Sequence, residues 1–268
     1  VLMNKGVKDR LVRDSYPVKA LRILYRLPIG YCPRCKRTVT PNAPSVLPKG
    51  LYGNQLTATA AAMHYLHGVP MGRVAEQMDI TPGALIQLFH RLADLLAKVP
   101  DKLIEQYRQA LVKHADETGW RTGGKNGYAW LFATPTLSIF QYQKTRSGEV
   151  PRAVFGQKPL PGFLVVDRYA GYNKSPCKIQ YCYAHLLREV QDLEKDFPAV
   201  TEVKAFTDTL APLLSQAMKL RGQPLPRAQF RAKAATLKAE IVKTVNHPAH
   251  HAGIQRIQDI FREQEKRL

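Results

Sequence analysis

The spacing of apolar positions divides the chain into stretches of different period. Between residues 54 and 99 the period is helical, and NQLTATAAAMHYLHG, VPMGRVAEQMDI and TPGALIQLFHRLADLLAKVP each place apolar residues three and four apart. Gly68 closes the first segment as a C-cap, while Thr81 and Pro82 open the third as N-cap and first helical residue. Leu85, Leu88, Phe89, Leu92, Leu95 and Leu96 form one apolar stripe on that third segment and are expected in the core. A turn at Asp79 to Thr81 gives the last two segments the spacing of a helix-turn-helix, with the helix after Pro82 as the reader. A plain helical linker fits the same pattern.

From about residue 111 the period falls to two. LVKHADETGW, GYAWLFATPT with Tyr128, Trp130 and Phe132, and LSIFQYQKT with Phe140 and Tyr142 predict three successive antiparallel strands. The glycines and asparagine of RTGGKNG predict a hairpin turn between the first two. VPRAVFGQ predicts a short helix. FLVV is a continuous apolar run, the pattern of a strand buried on both faces, and it ends at Asp167. KIQYCYAH predicts a last strand that runs into the amphipathic helix LLREVQDLEKDFP. From 200 to 268 the chain is helical and basic, with Leu210, Leu213, Leu214 and Met218 as one buried stripe and a last helix running to Leu268 uncapped.

The order β-β-β-α-β-α-β-α predicts an α/β fold: a ribonuclease-H-like mixed five-stranded sheet with flanking helices. An N-terminal helical, helix-turn-helix-like region precedes it and a C-terminal helical insertion follows. The expected divisions are a basic, proline-rich segment over 1–50, a helical DNA-binding region over 51–109, the sheet-bearing core over 110–199 and the insertion over 200–268.

Composition narrows the partner. Forty Lys plus Arg against 21 Asp plus Glu give a formal charge of +19, which attracts polyanions and makes nucleic acid the leading partner. A membrane surface is the lesser option, and a basic soluble enzyme or ribosome-associated protein is the bland one. The longest apolar runs are too short to span a bilayer, and VLMNKGVKDRLVRD lacks a signal core, so no membrane partner and a cytoplasmic location are expected. Four cysteines are too few for a disulfide scaffold at this length. Cys32 and Cys35, in CPRC, have zinc-knuckle spacing; a tetrahedral site needs two more ligands, supplied upstream of Val1 or not at all.

In the predicted topology the first strand lies beside the fourth, so an acid in or at the end of one approaches an acid at the end of the other. Asp116 and Asp167 hold those two places. Two converging carboxylates repel unless a cation sits between them, and Mg²⁺, or Mn²⁺, prefers carboxylate, water and phosphate oxygens. Two such ions could clamp the attacking and leaving oxygens of a phosphodiester displacement. The bland alternatives are a turn cap at Asp116 and a surface ion pair between Asp167 and Arg168. Glu117, next to Asp116 on a strand, points to the opposite face and is expected to be structural. Lys144, Arg146 and Arg168 are candidate phosphate contacts, or solvated charges.

HADETGWR, FLVVDRYAGYN and YCYAHLLREV together resemble the signature segments of the large transposase of insertion-sequence family sixty-six. The family pattern is an acid-Glu-Thr-x-Trp strand, a buried strand ending in Asp-x-Tyr-x-x-Tyr, and a Cys-x-x-His run before a helix. The likeness covers roughly residues 110–268; CPRC and the helical segments resemble that family's zinc-binding and DNA-binding regions more loosely. It implies a DDE-type transposase that cleaves and transfers DNA strands at the ends of a bacterial insertion sequence, with two metals and no covalent protein–DNA intermediate. Asp116 would be the first acid and Asp167 the second. Cys182 and His185 match the Cys-x-x-His run, and packing or orientation suits them better than zinc, since only two ligands lie close in sequence. The resemblance further implies terminal-repeat and target DNA as partners, homo-oligomers on paired ends and accessory transposition proteins. Its third acid is a glutamate in an Asn-Asn-x-x-Glu-Arg segment after the insertion. That segment does not occur here, so the third acid is expected beyond Leu268, with Glu189 as the alternative. A fragment, or an inactive remnant acting only as a DNA-binding protein, would both account for this.

Overall fold

The computed structural model describes residues 18–47 and 50–268. The start of the basic segment, through residue 17, and Pro48 of the expected linker lie outside them. The chain divides into two compact units, one ending at Lys98 and the other spanning Val99–Leu268.

In the first unit, β1 (Gly30–Cys32) pairs antiparallel with β2 (Arg37–Val39), so that CPRC forms the reversal between them. Helix α1 (Asn54–Ala61) continues into one π turn and stops at Gly68, whose φ of 68° suits a glycine C-cap. Helices α2 (Met71–Gln77) and α3 (Pro82–Leu95) flank the expected turn, in which Asp79 has a φ of 52° and the Thr81 hydroxyl accepts from the Ala84 N–H at 3.2 Å. Ala60, Val74, Ala75, Met78, Leu85 and Phe89 form the core of these three helices. The apolar stripe is shorter than its sequence suggests. Leu95 and Leu96 are 63% and 46% exposed, because the last turn of α3 runs past the helices that cover Leu85 and Phe89.

The second unit begins with α4 (Val99–Gln109), which the helical pattern had grouped with the preceding region but which belongs to the sheet-bearing unit. Its Leu103, Ile104 and Tyr107 pack against the sheet core. The strands follow as β3 (Val112–Gly119), β4 (Tyr128–Thr134) and β5 (Leu137–Gln143). After α5 (Glu149–Phe155) come β6 (Phe163–Val166), a 3₁₀ turn (Ala170–Tyr172), β7 (Lys178–Tyr181) and α6 (Tyr183–Asp196). The sheet order is β5-β4-β3-β6-β7, with β3 antiparallel to β4 and parallel to β6. This is the predicted ribonuclease-H-like arrangement, reached with a single 3₁₀ turn where the second crossover helix was expected.

Strand alternation decides which side chains enter the core. Ala115, Trp130, Phe132, Ile139, Leu164 and Val166 face Tyr107, Val154 and Phe155, and the Trp130 and Phe132 rings stack in parallel at 6.2 Å. Phe140 and Tyr142, on the edge strand, are exposed. FLVV is buried on one face only: Leu164 and Val166 are enclosed while Phe163, at the strand's open start, is 45% exposed. At the start of β3 the core face takes in Lys113, which is fully buried. Its ammonium donates to the carbonyls of Ala110 and Pro161, each at 2.5 Å, which ties the strand's entry to the segment before β6. Burial pushes this lysine below the ordinary lysine range. Gly162, with φ of 72°, completes the junction; a Cβ there would overlap the Leu111 carbonyl.

Helices α7 (Thr201–Leu220), α8 (Arg227–Val245) and α9 (Ala252–Glu263) pack with α6 around a separate core that includes Val190, Leu210, Leu214, Ile241 and Phe261. Leu213 is only partly buried, and Met218 is 39% exposed at the far edge of the α7 stripe. Helix α9 stops at Glu263 and gives way to a 3₁₀ turn, Glu265–Arg267, in place of the uncapped run expected to Leu268. Arg267 then donates to Asn173 at 2.6 Å and to the Tyr181 hydroxyl at 2.8 Å, bringing the chain back to β7. Among the described residues no helix is long and apolar enough to cross a membrane.

The buried ammonium makes a direct prediction. Lys113→Met keeps the apolar stem but removes the donor of two part-buried hydrogen bonds, and should lower unfolding free energy by about 1–3 kcal/mol in chemical denaturation.

Candidate active site beside strands β3 and β6

The parallel register pairs Val112 with Phe163, Lys113 with Leu164 and His114 with Val165. Two residues further along each strand stand Asp116 and Asp167. Alternation sends Lys113, Ala115 and Glu117 toward the aromatic core together with Leu164 and Val166. Asp116 and Asp167 fall on the other face, the first within β3 and the second just past the end of β6. Asp116 is exposed, and its Oδ1 accepts from the Glu117 N–H at 2.9 Å. Asp167 lies one residue past β6, where its Oδ1 accepts from the Tyr169 N–H at 2.9 Å and fixes an Asx turn. Each carboxylate therefore keeps oxygen lone pairs for a further ligand.

A cleft of about 150 Å³ opens beside Asp167, lined by Arg168, Tyr169, Tyr181, Cys182, His185, Leu186 and Glu189. Cys182 precedes α6 at its N-cap, and His185 lies in the first turn. Both expected supporting residues thus stand next to the second acid. Among the described residues, His185 Nδ1 is a buried side-chain polar atom left without a hydrogen-bond partner. Glu189 lies one turn further along α6 and is paired with Arg168 at 2.5 Å, with both side chains partly buried. Of the three candidate phosphate contacts, Lys144 is exposed after β5, Arg168 is committed to Glu189, and Arg146 is paired with Glu117.

Glu117 is more than a neighbour. Its side chain is 1% exposed; Oε1 accepts from Arg146 Nε at 2.8 Å and Oε2 accepts from the Tyr172 hydroxyl. Burial, then the hydrogen bond to Glu117 and the charges of Glu117, Asp167 and Asp116, hold the Tyr172 phenol well above the ordinary tyrosine range, so it stays a donor. The bond to Glu117 likewise raises Arg146, with Asp167 among the nearby charges. Tyr169 and Tyr172 were not foreseen as site residues. Their signal was present in DRYAGYN, two and five positions after Asp167, but strand periodicity cannot say that a loop folds back on its own acid.

The cysteines separate into three settings. Cys32 and Cys35 meet across the β1–β2 reversal, where the Cys35 N–H, then the Cys35 side chain, hold the Cys32 thiol below its ordinary value. Cys177 sits against the sheet core, and burial pushes its thiol up. Among the described residues no three His, Cys, Asp or Glu side chains converge as a ready metal cluster. A cation at Asp116 and Asp167 would find further oxygens in water and a substrate phosphate.

Residues 49–266 match the family described as Transposase IS66 family. No curated protein matches the chain. Among solved structures, it is similar to the magnesium-bound catalytic core domain of HTLV-2 integrase in its trimeric form, at 8% identity over 56% of this chain and 97% of that one, with a TM-score of 0.24. It is also similar to a chain of the simian T-cell lymphotropic virus intasome in complex with the PP2A regulatory subunit B56 gamma, at 11% identity over 74% of each chain and a TM-score of 0.23. At such scores the fold assignment rests on the strand order and register described above.

The thiol settings predict an order of reactivity. Iodoacetamide at neutral pH should alkylate Cys32 well before Cys177, read by peptide mass mapping, because the thiolate is the nucleophile and hydrogen bonds lower the Cys32 thiol while burial raises that of Cys177.

Proposed function

Because the chain belongs to the IS66 transposase family, we propose that it performs DDE-type transposition chemistry, with Asp116 and Asp167 as its metal-binding acids. In this reading it catalyses divalent-metal-dependent phosphodiester cleavage and strand transfer at the ends of an insertion sequence. The observation that carries it is the β3–β6 register, which sets Asp116, within β3, and Asp167, just past β6, side by side on the face away from the aromatic core. Their donor set, carboxylate oxygens with free lone pairs, fits Mg²⁺ or Mn²⁺. Bound there, such ions would polarise the scissile phosphate and lower the pKa of an attacking water or hydroxyl.

The chain's own residues do the rest. The Asx turn at Asp167 fixes the second carboxylate, and the core side of β3 fixes the height of the first. Arg168, Arg146 and Lys144 supply positive charge along the same rim for the DNA backbone. His185, which lines the Asp167 cleft and has a buried, unpartnered Nδ1, serves as an orienting group with Cys182. Glu189 is the third-acid candidate among the described residues. The α2–α3 pair would read duplex DNA with α3, and Cys32 with Cys35 would form half of a zinc site. Paired ends, a homo-oligomer, accessory transposition proteins and a bacterial cytoplasmic setting accompany this reading.

A second reading, DNA binding without cleavage, is favoured by one observation: Glu189 is held by Arg168. Calorimetric titration with Mg²⁺ and nicking of a supercoiled plasmid carrying the element's ends separate the two. Asp116→Asn and Asp167→Asn should each lower Mg²⁺ affinity by about tenfold or more and abolish nicking. Wild-type Mg²⁺ affinity in both variants would overturn the metal-binding assignment, and binding of DNA with no nicking by the unaltered chain would select the second reading.

A further inference from the structure

The acid that the metal does not need is the most tightly held one in the site. Glu117 is enclosed, with both carboxylate oxygens occupied. Arg146, its partner, is different: the side chain is 46% exposed and uses only Nε toward Glu117. Its two terminal nitrogens make no hydrogen bond to protein among the described residues. A guanidinium fixed through Nε still offers a planar, two-donor edge, the geometry that grips two oxygens of one phosphate.

The guanidinium and the loop that carries it are tied at three points. The guanidinium carbon lies 4.4 Å from the centre of the Tyr169 ring. The Tyr169 hydroxyl donates back to the Arg146 carbonyl, so side chain and main chain are tied to one tyrosine. The loop is anchored just upstream, where the Trp130 indole donates to the Thr145 carbonyl at 3.4 Å. Tyr169 is itself bonded through its N–H to Asp167. The position of the arginine is thereby referenced to the second acid, at the rim where a DNA phosphate must arrive.

We propose that Glu117 is a positioning residue that holds Arg146, against Tyr169 and with help from Tyr172, as a pre-aimed grip for a DNA backbone phosphate beside Asp116 and Asp167. The proposal rests on the transposase reading and gives its DET triplet two separate duties: Asp116 serves the metal and Glu117 serves the phosphate. Because the side-chain rotamers are already fixed, little ordering entropy remains to be lost when the phosphate binds.

The test uses the full chain and a short fluorescein-labelled DNA duplex, with anisotropy followed across a salt series. Simple electrostatics says that neutralising an acid on a DNA-binding face tightens binding. Positioning says the reverse. Glu117→Gln and Arg146→Gln should each weaken binding by about fivefold and reduce the slope of log affinity against log salt by about one phosphate's share. The double variant should be no weaker than Arg146→Gln alone, the signature of coupled residues. Glu117→Asp, which keeps the charge but withdraws the carboxylate by one methylene, should also weaken binding, and Arg146→Lys should not restore it. Thermal denaturation monitors folding. Should Glu117→Gln fail to fold, Glu117→Asp tests the same coupling with the charge retained. Wild-type or tighter binding by a folded Glu117 variant, or additive losses in the double variant, would overturn the proposal. Failure here with intact loss of Mg²⁺ in Asp116→Asn removes the grip and leaves the metal assignment; the converse result removes the metal assignment and leaves the grip.

Discussion

Everything in the site follows from the fact that a β-strand has only two faces. Strand β3 carries two acids in succession, and alternation forces them apart. Asp116 goes to the open face, where β6 delivers Asp167 beside it. Glu117 goes to the closed face, where a carboxylate without partners would be untenable. The core meets that demand with a guanidinium from the loop after β5 and a phenol from the turn after β6. Satisfying one buried charge thus draws together three segments around Asp116 and Asp167. A one-residue slip of β3 would exchange the two acids and undo both arrangements.

The electrostatics are less paradoxical than a net charge of +19 suggests. Breaking a buried ion pair by removing one partner is strongly destabilising, because it strands the other charge. Here the pair is asymmetric: the acid is enclosed and the base is half in solvent. The acid's negative charge is spent locally, and the base remains available to the outside. The Arg168–Glu189 pair lacks this asymmetry, since its two side chains are partly buried to the same degree.

Much of this architecture was legible in the sequence because the strands announce themselves locally. Trp130 and Phe132, two apart, could only share a face, and the glycine pair at Gly123 and Gly124, both at positive φ, could only be a turn. The acid pair was legible once strand order was known, since order alone brings the ends of the first and fourth strands together. What the sequence withheld depends on contacts distant in the chain. Met218 and Leu95 continue apolar stripes past the point where another element covers them, and periodicity cannot register where a neighbour ends. The fate of Glu117 depended on Arg146 and Tyr172, 29 and 55 residues away, and nothing local says that either folds back onto it. Lys113 was likewise hidden, a lysine enclosed in a sheet core because two carbonyls happen to converge there.

Helices α6 to α9 leave the sheet at Tyr181, and the chain comes back to that same residue when Arg267 reaches its hydroxyl. A group of elements whose entrance and exit share one strand is mechanically a hanging loop, however much helix it contains. Its helices have their own apolar core, so the register of β3 against β6 does not depend on their number or length. The architecture therefore separates what inheritance can vary from what it must preserve. Extra turns can be gained or lost in α7, α8 and α9 while Asp116 and Asp167 stay in place, whereas α6 is bound to the site by His185 and Glu189.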